Sequence, residues 1–311
     1  MSDHSLDLEG GAPAEDMQAK YGKFIKRLRG EPTEDADAMR STTLRQEMVA
    51  EAVGTGFIVL FGVGVVNTAV LTGAQAGIFQ VAIVWGIGIG LAILTTASLS
   101  GAHLNPAVSL AFALMRPDDF PFRKLIPYIG AQFAGSIICA AVNYLIFSTA
   151  LSNFEEQRGI VRGEPGSEQS AMVFGEYFPN PDFAASASLG WSSSTVSPLG
   201  SLGIEALGTG ILMFNILGLT DARNQMRIGG AAKAFGIGLT VTVLISLYAP
   251  LNQAGFNPAR DFGPRIVAFL AGWGEIAIPG PQGGFWTYIL GPLIGAPLGA
   301  AFYDFVLMRG L

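Results

Sequence analysis

Cysteine occurs once in this chain of 311 residues, at Cys139, and histidine twice, at His4 and His103. A single thiol excludes an intramolecular disulfide and a cysteine metal site. Two histidines do not build a histidine metal cluster, and nothing nucleophilic stands beside His103 to make it a catalytic base. Charge is scarce as well: Asp, Glu, Lys and Arg make up 14% of the residues, against about 25% in soluble domains. The chain does not open on an apolar stretch, so no cleaved signal peptide is expected. An enzyme, a cofactor, a bound metal and a nucleic-acid partner all find no support here.

What the sequence has is apolar length. Half of its residues are hydrophobic and 41 are glycine, with a mean hydropathy of +0.45. Six runs, at about 49–71, 79–99, 125–151, 202–220, 231–249 and 286–307, are each long enough for a helix to cross a ~30 Å hydrocarbon core. The fold class expected is an all-α integral membrane protein in a lipid bilayer. Residues 1–45 read as a soluble tail. Its cluster Lys20, Lys23, Lys26, Arg27 and Arg29 fits a solvated charge run better than an amphipathic helix. Residues 152–198 read as a long polar loop, rich in Glu155, Glu156, Glu164, Glu168, Glu176 and Asp182.

Between the runs, one tripeptide occurs twice: Asn105-Pro106-Ala107 and Asn257-Pro258-Ala259. Asparagine is a strong helix N-cap, and proline fits the first helical position, where its missing N–H costs nothing. Each motif therefore starts a helix. The first must stop by Met115, before Arg116-Pro117-Asp118-Asp119. A helix over 105–115 is roughly 16 Å long, about half the ~30 Å core. The second is expected over 257–271.

The two halves of the chain also match. Ala50–Ile58, A-E-A-V-G-T-G-F-I, aligns with Ile204–Leu212, I-E-A-L-G-T-G-I-L. Each copy leads to its own Asn-Pro-Ala. Residues 46–151 thus form a first repeat and 199–311 a second, each with three spans and one half-helix. Three is odd, so the second repeat enters from the opposite side. An inverted repeat places its functional site near the midplane, between the halves. Lys and Arg concentrate in the N-terminal tail, after the first half-helix, after the fourth span and at the C-terminus. By the positive-inside rule both termini lie in the cytoplasm.

The residues Ser100-Gly101-Ala102-His103-Leu104 before the first motif, and Arg260-Asp261-Phe262-Gly263-Pro264 after the second, complete a pattern that resembles the aquaporin superfamily. Asp261 after Arg260 is similar to its glycerol-facilitator branch, the aquaglyceroporins. The resemblance implies six tilted spans, two re-entrant half-helices, one pore per subunit and a homotetramer. It also implies a passive channel for glycerol and other small neutral solutes with water.

In that setting the candidate residues take roles. Asn105 and Asn257 would cap the two half-helices and aim their amide donors into the lumen. Two opposed helix N-termini, each worth about half a positive charge, oppose cations and protons. Arg260, one helical turn past Asn257, needs a wet cavity or a carboxylate, and in the family it is a filter donor. Asp261, adjacent on the helix, does not face it. Gly101, Ala102 and His103, with Gln253, Ala254 and Gly255, cannot be helical, and would offer a ladder of carbonyls to the lumen. Glu51 and Glu205 are either proton-relay groups, as in a transporter, or acceptors that fix the re-entrant loops; the family favours the second. Trp85, Ile245 and Ala254 match the family's remaining filter positions. Ile245 and Ala254 depart from the Gly and aromatic that many glycerol channels carry there. Gly291, Gly295 and Gly299 suit close helix packing. Two rival readings remain: a water-selective channel, disfavoured by Trp85 without a filter histidine, and an ion-coupled secondary transporter.

Overall fold

Local signals set the helix ends. The computed structural model describes residues 42–186 and 188–309; the basic cluster of the N-terminal tail lies outside them. Helix α1, Leu44–Thr72, opens on a capping box in which Thr43 and Gln46 satisfy each other's backbone N–H groups, and closes on Gly73 in the left-handed region. Helix α2 spans Ile78–Ser100. The half-helix α3 is Pro106–Met115. Helix α4, Leu125–Arg158, is the longest. Helix α5 is Pro198–Thr220, capped by the Ser197 hydroxyl, and α6 is Gly230–Asn252. The second half-helix, α7, is Pro258–Ala268; it loosens into a wider turn over Phe269–Trp273 and breaks at Gly272, whose φ is 108°. Helix α8 is Thr287–Phe302, extended by a wide turn over Tyr303–Leu307.

All six long helices are long and apolar enough to cross a membrane. Their outward faces leave Leu91, Ile138, Leu145, Leu207, Leu247 and Leu298 exposed. Inside, small residues let backbones touch. A Cβ on Gly135 would stand 1.8 Å from the Ala52 carbonyl oxygen, and one on Gly295 would stand 2.0 Å from that of Ala206. Ala52 and Ala206 are equivalent repeat positions, so both repeats use one device.

The packing obeys the repeat. Helix α1 lies on α2 and α4, as α5 lies on α6 and α8. Helices α2 and α6 meet each other across the repeats. At that contact Gly86 and Gly238, again equivalent, face each other's carbonyls. The half-helices are exchanged: α3 packs on α8 of the second repeat, and α7 on α4 of the first.

Two features differ from a reading by composition. Helix α4 runs past residue 151, because Leu151 and Phe154 are buried and Glu155 finds Arg162 and Ser170. Residues 170–181, in a segment polar by count, are all buried. They are held by the Gln253 amide, which accepts from the Tyr177 N–H and donates to the Met172 carbonyl.

Candidate solute pathway

The two segments that lead into the Asn-Pro-Ala motifs are strained in the same way. Ala102 and Leu104 have φ of 53°, and Ala254 and Phe256 have 61° and 52°. Non-glycine residues in this region cost about 1–3 kcal/mol each and persist only where the surroundings over-determine them. Two buried carboxylates do the determining. Glu51 accepts the His103 N–H at 2.9 Å and the Leu104 N–H at 2.7 Å. Glu205 accepts the Gly255 N–H at 2.9 Å and the Phe256 N–H at 2.6 Å. Further donors, Ser100 and Gln132 on Glu51 and Asn252 on Glu205, complete both shells. With both carboxylates occupied by fixed donors, they act as loop anchors.

Gly101, Ala102, His103, Ala254 and Gly255 line a cavity of about 250 Å³, with the N–H groups of His103 and Gly255 bound to the two carboxylates, that of Ala102 to Ser100 Oγ and that of Ala254 to Asn252 Oδ1. Gln253 lines a second, outer cavity of about 540 Å³. No hydrogen bond to the six carbonyls of residues 101–103 and 253–255 occurs among the described residues, which leaves those oxygens available to a solute. The His103 ring does not reach for one. It stacks on Phe112 with centroids 4.6 Å apart, packs against Phe120 and Tyr128, and meets Ser109 Oγ at 3.2 Å.

The two asparagines meet where the half-helices converge. Asn105 Oδ1 accepts the Ala107 N–H, and Asn257 Oδ1 accepts those of Ala259 and Arg260. Their amide nitrogens are not both free for the lumen, as the sequence suggests. Asn105 Nδ2 donates to the Phe256 carbonyl at 2.9 Å, and Asn257 Nδ2 to the Leu104 carbonyl at 2.8 Å. Each NH₂ has two hydrogens, so one fastens the opposite repeat and one remains. Gly54 and Gly208, from the matched A-E-A-V-G-T-G and I-E-A-L-G-T-G runs, make room for this. A Cβ on Gly54 would lie 2.4 Å from Leu104, and one on Gly208 would lie 2.1 Å from Phe256. The role of both glycines was hidden in the sequence, although their repetition was visible.

Trp85, Ile245, Ala254 and Arg260 come together around the inner cavity. Trp85, Ile245 and Arg260 also border the outer one, so these three stand where the two cavities adjoin. The Arg260 guanidinium lies 4.1 Å from the Trp85 ring centroid. Gly62 has no side chain because Trp85 occupies that space: a Cβ there would be 2.1 Å from the indole.

Asp261 does not neutralise Arg260. It forms an ion pair with Arg265, one turn on, at 2.8 Å. The carboxylate on Arg260 is Glu176, from the buried segment 170–181, and sequence reasoning missed it. Asp261 Oδ1 accepts the Glu176 N–H at 2.7 Å, and Arg265 donates to the Glu176 carbonyl.

Comparison with known proteins places this geometry. The Major intrinsic protein family model matches residues 38–303. The chain belongs to that family. It is 38% identical to the glycerol uptake facilitator protein of Escherichia coli K12 over 274 residues, which is 88% of this chain and 92% of that protein. It is 37% identical over 271 residues to the propanediol uptake facilitator of Citrobacter freundii, covering 86% of this chain and 94% of that one. The X-ray structure of the aquaglyceroporin from Plasmodium falciparum shares the fold, with a TM-score of 0.71 at 24% identity over 85% of this chain and 97% of that chain. A family member of this kind is a multi-pass membrane facilitator, not an enzyme.

Proposed function

We propose that this protein is a passive channel for glycerol and other small uncharged solutes, together with water, and that it excludes ions and protons. One observation carries the reading. Two opposed half-helices, each capped by an asparagine, meet in the wall of a cavity lined by apolar side chains and by the backbone segments 101–103 and 254–255. A polyol needs both: a wall for its carbons and hydrogen-bond partners for its hydroxyls. The named relatives, facilitators of glycerol and propanediol, support the same solute class. Asn105, Asn257 and Arg260 act as donors, Trp85 as the apolar wall, and Ile245 and Ala254 set the width. Glu51 and Glu205 hold the loops. The protein assembles as a homotetramer with both termini in the cytoplasm. A water-selective channel is disfavoured because the section where the two cavities adjoin combines Trp85 with Ile245 and no histidine. An ion-coupled transporter is disfavoured because the carboxylates of Glu51 and Glu205 are occupied by fixed donors.

Stopped-flow swelling of proteoliposomes in glycerol, urea and water tests this. We expect glycerol flux well above that of protein-free vesicles, and no ion current in a planar bilayer. Glycerol flux at the lipid background, or a proton or Na⁺ conductance, would overturn the proposal.

A further inference from the structure

The Glu176 carboxylate beside Arg260 is unexplained by the anchoring of its loop. That segment is already fastened through its backbone: Asp261 takes the Glu176 N–H, Arg265 donates to the Glu176 carbonyl, and Gln253 holds Tyr177 and Met172. None of these bonds uses the Glu176 side chain. Yet that side chain is 5% exposed, pairs with Arg260 through Oε1, and leaves Oε2 buried with no partner in the protein. A buried carboxylate oxygen without a donor is costly, and such groups call for an explanation. Glu176 also forms part of the wall of the outer cavity, next to Trp85, Gln253 and Arg260. The remaining side-chain donors of Arg260 have no protein acceptor among the described residues.

We propose that Glu176 is a specificity-determining residue of the section where the two cavities adjoin, which accepts a hydroxyl hydrogen from a passing polyol while Arg260 donates to a hydroxyl oxygen. This rests on the channel reading above and deepens it. A lone guanidinium offers only donors. The pair offers donors and a strong acceptor side by side, which matches a molecule carrying two adjacent hydroxyls. Water, small and able to reorient, gains less from a fixed donor–acceptor pair. The pair also makes that section nearly neutral, so charge exclusion falls on the two opposed helix N-termini at the asparagines.

The test compares wild type with Glu176→Gln and Glu176→Asp in proteoliposomes, normalised to inserted protein, with glycerol and water permeability read on the same vesicles. We expect Glu176→Gln to lower the glycerol-to-water ratio about tenfold, the low end of the scale of one charge-assisted hydrogen bond lost at the barrier. Glu176→Asp, which keeps the carboxylate, should recover at least half of that loss. A merely structural Glu176 would lower both permeabilities together and leave the ratio alone. An unchanged ratio in Glu176→Gln, or Glu176→Asp as impaired as Glu176→Gln, overturns the proposal. Should Glu176→Gln fail to insert, Glu176→Ser is read by the same ratio. Wild-type glycerol flux at background would instead strike the channel reading itself, before any variant is compared.

Discussion

Adding one methyl group at Gly208 probes the centre of the molecule. A Cβ there would lie 2.1 Å from Phe256 Cε1 and 2.6 Å from Cζ. Ordinary carbon contacts sit at about 3.5–4.0 Å, so the ring or the helix must shift by roughly 1.5 Å. Phe256 has little freedom to yield. Its N–H is bound to Glu205 at 2.6 Å, its carbonyl takes Asn105 Nδ2 at 2.9 Å, and its φ is 52°. Overpacking of a rigid site costs about 1–3 kcal/mol. Without the clash, Gly→Ala in a helix gains about 0.5–1 kcal/mol. Gly203, exposed on the same helix with nothing within 4 Å of its Cβ, reports that gain alone. We expect Gly203→Ala to melt at or above wild type in detergent, and Gly208→Ala clearly below it. Glycerol flux through Gly208→Ala should fall too, because Phe256 carries its strain to Asn105; a barrier increment of only ~1.4 kcal/mol is tenfold in rate. Gly54→Ala should be milder, since the atoms it meets are the terminal methyls of Leu104 and the Thr96 hydroxyl, side-chain ends rather than a ring. Equal melting and equal flux for Gly208→Ala and Gly203→Ala would refute the reasoning.

Other residues give sharper single readings. Glu205→Gln keeps one oxygen for Asn252 and Gly255 but turns an NH₂ toward the Phe256 N–H, leaving a buried donor unpaired at about 1–3 kcal/mol; its melting temperature should drop, Glu205→Ala should drop further, and a wild-type melt for both would remove its anchoring role. At the end of α5, Arg223 holds the Asp221 carboxylate below its ordinary 3.8, with the Tyr303 hydroxyl also donating to it. A lowered carboxylate stabilises the fold above its ordinary value and loses that contribution as pH falls through the depressed one, so Asp221→Asn should flatten the stability profile in acid; parallel profiles for the two proteins would contradict this. Cys139 borders neither cavity and packs near Gly56, whereas Ala254 borders the inner one. Wild type should therefore resist mercurials and Ala254→Cys should be blocked; equal block of both, abolished by Cys139→Ser, would remove Ala254 from the pathway.

Much of this was legible because it is local chemistry. An asparagine followed by proline caps a helix wherever it occurs, so both half-helices could be placed from six residues. Apolar length located the six spans, and the matched runs at Glu51 and Glu205 exposed the repeat. What escaped depends on residues far apart in sequence. Glu176 looked like one acid among several in a polar loop, and nothing near it in the chain points to Arg260. Gln253 was read as a backbone carbonyl, while its side chain clasps the covering segment. The two asparagine amides were expected to point into the lumen, because one motif read alone does not reveal the carbonyl that the other repeat supplies. Helix α4 outran its apolar stretch because Glu155 found partners in Arg162 and Ser170.

The exchange of half-helices bears on how the molecule is made. When the first repeat leaves the ribosome, α3 can lie only on α4 of its own repeat, because the larger part of its packing surface belongs to α8, the last helix synthesised. Asn105 likewise waits for the Phe256 carbonyl, and Leu104 for Asn257. Neither half can be finished and stored. Maturation therefore closes in one late event, when α8 enters and both re-entrant segments are seated together. A nascent chain stopped before α8 would be most disordered not at its truncated end but around its first Asn-Pro-Ala, nearly two hundred residues upstream. Quality control in the membrane would meet the defect there.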